Sequence, residues 1–217
     1  MTTNNKIELM APAGNFESLQ AALDNGCDSV YFGVEQLNMR ARASVNFTMD
    51  DLAEIAKRCE AKNVRSYLTL NTIIYDHDLS VVKTLINKAK EANITAVIAS
   101  DQAVIAMARS VGMEVHISTQ LNVTNIETIK FYSLFADTMV LSRELSLRQV
   151  KKITEQIEKE QIKGPNGNLV EIEIFGHGAL CMAVSGKCYL SLHSHNSSAN
   201  RGACKQNCRK KYTVIDQ

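Results

Sequence analysis

Four of the six cysteines, Cys181, Cys188, Cys204 and Cys208, fall within 28 consecutive residues, while Cys27 and Cys59 stand alone in apolar segments. Thiolates are soft metal ligands and redox groups, and structural disulfides are rare in a reducing compartment, so the cluster reads first as a ligand set. Its spacings of 7, 16 and 4 residues differ from the paired knuckles of common zinc fingers. Four thiolates separated by glycines suit an iron-sulfur cluster, with structural zinc and unliganded thiols as the weaker readings. Residues 181–217 also carry Lys187, Arg201, Lys205, Arg209, Lys210 and Lys211 against the single acid Asp216, although the whole chain has a formal charge of only +1. A basic collar therefore surrounds the thiols. It either offsets the charge of a cluster or contacts a polyanion.

Other chemistry-bearing residues lie outside the cluster. His177 sits between two glycines, four residues before Cys181, a place for a proton donor or a residue that orients a ligand. Arg40 and Arg42 present guanidinium forks suited to carboxylate or phosphate. Arg143 and Glu144 read as an internal pair that orients a cavity, or else as catalytic groups, and His116 as a core histidine or a substrate contact. Asn71 and Gln120, polar groups after the third and fifth strands, are further candidate catalytic residues, as is His177. The chain has no His-Glu-x-x-His and no Gly-x-Ser-x-Gly. A thiol nucleophile made of Cys181 and His177 is the weaker alternative to ligation.

Positioning these residues requires a scaffold, and the pattern of apolar runs supplies one. Short, nearly all-apolar strands are expected at Ile7–Met10, Ser29–Phe32, Val64–Leu70, Ala96–Ala99, Glu114–Ile117, Thr138–Leu141 and Val170–Phe175. Helical patterns fall at Ser18–Leu23, Met49–Cys59, Leu79–Ala92, Ala103–Ser110, Ile126–Phe135 and Leu147–Lys159. Repeated strand–helix units predict an α/β fold, a TIM-like β/α barrel, with an open doubly wound sheet as the structural alternative. The first turn, Ala11-Pro12-Ala13-Gly14-Asn15, is no dinucleotide fingerprint, and there is no P-loop. A closed barrel uses about 250 residues and eight strands, so this one reads as incomplete. Residues 1–180 form the barrel portion, and the cysteine-rich basic segment 181–217 is expected to continue into a longer parent protein. In such barrels the strand carboxyl ends converge on one cavity, and the polar residues named above fall there.

With 217 residues and 45% hydrophobic side chains, the chain can bury a core, which excludes wholesale disorder. Its balanced charge excludes a histone-like protein. The apolar runs are shorter than the 18 or so residues of a membrane span, and the first residues lack a signal-peptide core, so the expectation is a cytoplasmic protein without membrane contact.

The stretch Glu173 to Ser191 resembles the signature of peptidase family U32, the group labelled collagenase-like proteases. The match runs through Glu173, Phe175, Gly178, Ala179, Leu180, Cys181, Gly186, Cys188 and Ser191. Leu9-Met-Ala-Pro-Ala-Gly14, Met39-Arg-Ala-Arg42, Leu141-Ser-Arg-Glu-Leu145 and Asn200-Arg-Gly-Ala-Cys204-Lys-Gln-Asn-Cys208-Arg209 support it. The resemblance implies a β/α barrel and a choice of activities. Family members with assigned chemistry include oxygen-independent hydroxylation enzymes with a 4Fe-4S cluster, acting on a tRNA wobble uridine, a 23S rRNA cytidine or the ubiquinone ring. The RNA-directed ones use prephenate as the hydroxyl source.

By that resemblance, Cys181, Cys188 and Cys204 are cluster ligands, with Cys208 or a residue beyond 217 as the fourth. Arg40, Arg42 or Arg143 would suit a dicarboxylate, and Arg201, Lys205 and Arg209 an RNA. The main expectation is therefore prephenate-dependent hydroxylation of an RNA base, with an electron donor or partner subunit. A U32-type peptidase and a non-catalytic RNA-binding or maturation factor are the alternatives.

Overall fold

In a computed structural model that describes residues 7–34, 37–39 and 47–213, seven strands alternate with helices. They are β1 (Met10–Ala13), β2 (Ser29–Phe32), β3 (Arg65–Leu70), β4 (Ala96–Ala99), β5 (Glu114–Ile117), β6 (Thr138–Val140) and β7 (Glu171–Glu173). All pair in parallel and in chain order, from β1 through β7. The connecting helices are α1 (Phe16–Asp24), α2 (Leu52–Glu60), α3 (Leu79–Glu91), α4 (Gln102–Ser110), α5 (Ile126–Tyr132) and α6 (Leu147–Glu160). Right-handed crossovers between sequential parallel strands put every helix on the same side of the sheet. The sheet curls away from them, giving an open, incomplete TIM-like barrel whose β1 and β7 edges remain unpaired among the described residues.

Alternation along the strands separates two apolar layers. Leu68, Val97, Val115, Ile117 and Met139 point outward and pack with Leu19, Ile55, Leu85, Val104 and Ile129 of the helices. Tyr67, Ala96 and Ile98 point into the lumen, beside Met10 and Tyr31. Cys27 and Cys59 are buried in the outer layer, where burial pushes the Cys59 thiol up to about 11. Both are packing residues, as expected of thiols in apolar segments.

The structure shifts some expected boundaries. The first strand starts at Met10 rather than Ile7, so Ala11-Pro12-Ala13 is strand and not turn. Among the described residues β1 lies at the edge of the sheet, a place where Pro12, without an N–H, is tolerated. The side chains of Asn15 and Ser18 then form a capping box that starts α1. At the other edge, Ile174 and Phe175 leave the sheet and are exposed, so β7 has three residues instead of six. The cysteine segment contains an unanticipated short helix, α7 (Leu190–His195). No described helix is long and apolar enough to cross a membrane.

Candidate functional site

A cavity of about 220 Å³ opens at the carboxyl ends of β3, β4 and β5. Asn71, Thr72, Asp101, Gln120 and Asn200 supply most of its polar lining, and Asp101 is the only charged side chain among the described lining residues. Asn71 ends β3 and is held on both sides: its carbonyl oxygen accepts from the Met39 N–H at 3.3 Å, and its amide donates to Ser118 Oγ at 3.2 Å. Gln120 belongs to a short 3-10 turn after β5, and its side-chain oxygen is buried without a partner. Asn71 and Gln120, both expected at the site, are thus brought together there.

The cysteine segment lies over this cavity and is tied down at two places. Its first arm is seated on the loops after β5 and β6. Arg143 donates to Ser185 Oγ at 2.8 Å and to the Ala183 carbonyl at 3.2 Å, and reaches the Cys181 carbonyl at 3.5 Å. Asn122, whose φ of 52° is left-handed, donates to the Ser185 carbonyl at 2.9 Å. Gly186 follows with φ +73°, and a Cβ there would stand 2.9 Å from the Gln120 carbonyl oxygen. Only glycine satisfies both demands.

The second arm is clasped to the loop after β3. Ile73 N–H donates to the Asn200 carbonyl at 3.1 Å. Arg201 donates to Asp78 at 2.7 and 3.3 Å and to the Ile73 carbonyl at 2.8 Å, while its guanidinium lies 4.5 Å from the Tyr75 ring centre. The Arg201 bond holds the Asp78 carboxyl below the usual carboxylate range. Arg209 joins the arms by donating to the Leu180 carbonyl at 3.1 Å.

Several expected site residues take different places. Arg143 and Glu144 do not pair with each other: Arg143 turns to the cysteine arm, whereas exposed Glu144 accepts a short hydrogen bond from Ser142 that lowers its carboxyl pKa. Arg201 and Arg209 are engaged in clasps, while Lys205 is exposed at the rim. His177 is exposed beside a second cavity of about 230 Å³, which Phe175, Leu180 and Leu147 line. His116 is buried in the lumen, not at the mouth. Its Nε2 meets Glu114 at 3.0 Å, and its ring lies 4.5 Å from that of Tyr67. Arg40 and Arg42 lie outside the described residues.

Cys181, Cys204 and Cys208 are exposed, Cys188 is half-buried, and all four are free thiols. As ligand chemistry the set suits iron or zinc. Among the described residues no three His, Cys, Asp or Glu side chains gather into a group that could hold a metal. Sequence reasoning missed Asp78, Asn122 and Ser185, which hold the cysteine arms in place. Asp78 has the look of an ordinary acid at a helix start, and no local pattern signals a partner 123 residues away.

The sequence profile of peptidase family U32 matches residues 14–217. The chain belongs to this family. It is 59% identical over 213 residues to a collagenase of Porphyromonas gingivalis, covering 98% of this chain and 51% of that one. It is 33% identical over 212 residues to tRNA hydroxylation protein P1 of Bacillus subtilis, covering 96% of this chain and 47% of that one. The chain thus spans about half the length of these curated relatives. A solved U32 peptidase structure, Mk0906, superposes with a TM-score of 0.59 at 14% identity, covering 80% of this chain and 69% of that one, a likeness of fold. Collagenases and RNA-hydroxylation proteins are both among its relatives.

Proposed function

We propose that this chain is the barrel portion of an enzyme that hydroxylates an RNA base. The observation that carries this reading is an amide-lined cavity, with Asp101 its one charged side chain among the described lining residues, lying under a segment that bears exposed cations and thiols. Lys187, Lys205, Arg209, Lys210 and Lys211 are exposed on that segment, as a phosphate backbone requires. Asn71, Gln120 and Asn200 offer amides of the kind that read the edge of a base. Arg143 and Arg201 hold the roof and so fix the distance between rim and cavity. The iron-sulfur cluster and the prephenate co-substrate implied by the resemblance belong to this proposal, with Cys181, Cys188, Cys204 and Cys208 as the residues that would hold the cluster.

The second reading is a U32-type peptidase. It rests on the 59% identity to a collagenase, and by identity alone the comparisons lean this way. Against it, no described cysteine is hydrogen bonded to a histidine. The one serine–histidine hydrogen bond among the described residues, between Ser194 and His195, is at a helix end, where Ser194 Oγ donates to the Leu190 carbonyl at 2.7 Å. The test has two arms. Nucleoside mass spectrometry of total tRNA and rRNA from deletion and parent cells is expected to show one hydroxylated nucleoside missing. Cleavage of denatured collagen by the purified full-length protein, surviving in a Cys181→Ala, Cys188→Ala variant with every nucleoside intact in the deletion, selects the peptidase.

A further inference from the structure

The second cavity, of about 230 Å³, is used by neither reading. It opens between the loops after β6 and β7, and Leu141, Leu145, Leu147, Val150, Phe175 and Leu180 form its apolar wall. Leu147, Phe175 and Leu180 are each more than half exposed. Large apolar side chains left open around one concavity favour an apolar occupant. A cavity of roughly 150 Å³ holds a benzene ring, so this one has room for a ring and a small head group.

The polar part of the wall decides the head group. Arg143 is the only charged side chain among the described lining residues, and Glu144 and Glu173, which flank lining residues in sequence, do not line the cavity themselves. The acceptors that Arg143 reaches, Ser185 Oγ and the carbonyls of Ala183 and Cys181, are all neutral, so they leave its charge uncompensated. Gly176, His177 and Gly178 add three successive backbone N–H groups that donate to no described residue, and the His177 side chain is exposed beside them. A guanidinium, an imidazole and a run of free N–H groups all complement a carboxylate. The first cavity is the opposite case, with Asp101 as its one charge among the described lining residues. By these charges an anion is disfavoured there and attracted here.

We infer that the second cavity is a binding site for a small organic carboxylate with an apolar body. The body, a ring or branched chain, packs on Phe175, Leu147 and Leu180, and the carboxylate meets Arg143 and the N–H groups of residues 176–178. The site does not depend on which of the two activities the chain serves.

The test is binding of phenylacetate to the full chain, followed by calorimetry and by NMR amide shifts, with phenylacetamide and acetate as controls. Phenylacetamide keeps the ring and loses the charge, whereas acetate keeps the charge and loses the ring. Phenylacetate is expected to bind about tenfold or more tightly than either, the scale of one charged hydrogen bond or one buried ring. The shifts should fall on residues 141–150 and 174–180. Phe175→Ala is expected to weaken phenylacetate and spare the melting temperature, because that ring is half exposed. Leu147→Ser, at another exposed position of the wall, should do the same. Equal affinity for phenylacetate and phenylacetamide, shifts centred on Asn71, Asp101 and Gln120, unchanged binding in both variants, or no binding at millimolar phenylacetate overturns the site.

Discussion

Arg201 and Asp78 stand 123 positions apart in sequence and meet through two hydrogen bonds, with Tyr75 stacked on the guanidinium. The pair is mostly shielded, with side chains 26% and 11% exposed. It holds the second cysteine arm against the loop after β3. Replacing Arg201 by Ala leaves Asp78 without its partner and is expected to cost about 2 kcal/mol, the scale of a hydrogen-bonded charge. Because Arg201 lowers the Asp78 carboxyl pKa, the native pKa lies below the unfolded one. The stabilisation is therefore complete above the ordinary aspartate range and lost as pH falls through the native value. Thermal melts of both proteins should differ at pH 7 and converge in strong acid.

Gly186→Ala tests the seat of the first arm. The left-handed backbone disfavours any Cβ by about 1–2 kcal/mol, and the Gln120 carbonyl blocks it sterically. Hydrogen exchange should accelerate in residues 181–188 and stay unchanged in β3 and β4. Arg143→Gln should loosen the same residues, because it removes the donors to Ala183 and Ser185.

Glu173→Gln should stabilise the fold in a pH-dependent way. The native carboxyl pKa is raised by burial, so its contribution is favourable below the unfolded pKa and is lost as pH rises through the native value. The gap in melting temperature between the Gln variant and the parent is therefore expected to widen in favour of Gln from pH 4 to neutral. A constant gap contradicts the buried placement of this carboxyl.

The barrel was legible in the sequence because parallel strands covered by helices are apolar on both faces, and Val97, Val115 and Met139 sit in runs that nothing else explains. The cavity-lining roles of Asn71 and Gln120 followed from their places at strand ends. What was not legible depends on contacts between distant residues. Arg143 beside Glu144 looks like a pair in sequence, yet the guanidinium finds three acceptors about 40 residues away. His116 reads in sequence as a core histidine or a substrate contact; strand alternation turns it into the lumen, where it is buried beside Glu114. The clasps that seat the cysteine segment, Arg143 on Ser185 and Arg201 on Asp78, join residues 42 and 123 positions apart and leave no local pattern in the sequence.

Iron loading tests how the arms move. Anaerobic reconstitution of the full-length protein is expected to give a brown species with about four irons. Exchange should change on residues 181–188 and 204–208 and leave α4 and α5 unchanged. Loading that occurs equally in a Cys181→Ala, Cys204→Ala double variant argues against these thiols as ligands.

The most direct measurement of the central claim is nucleoside mass spectrometry of RNA from a deletion strain complemented either with the parent gene or with Asn71→Ala, Gln120→Ala. Restoration of a single hydroxylated nucleoside by the parent and its loss with the cavity variant, at equal protein abundance, is the predicted result. A nucleoside profile identical in deletion, parent and variant cells contradicts it.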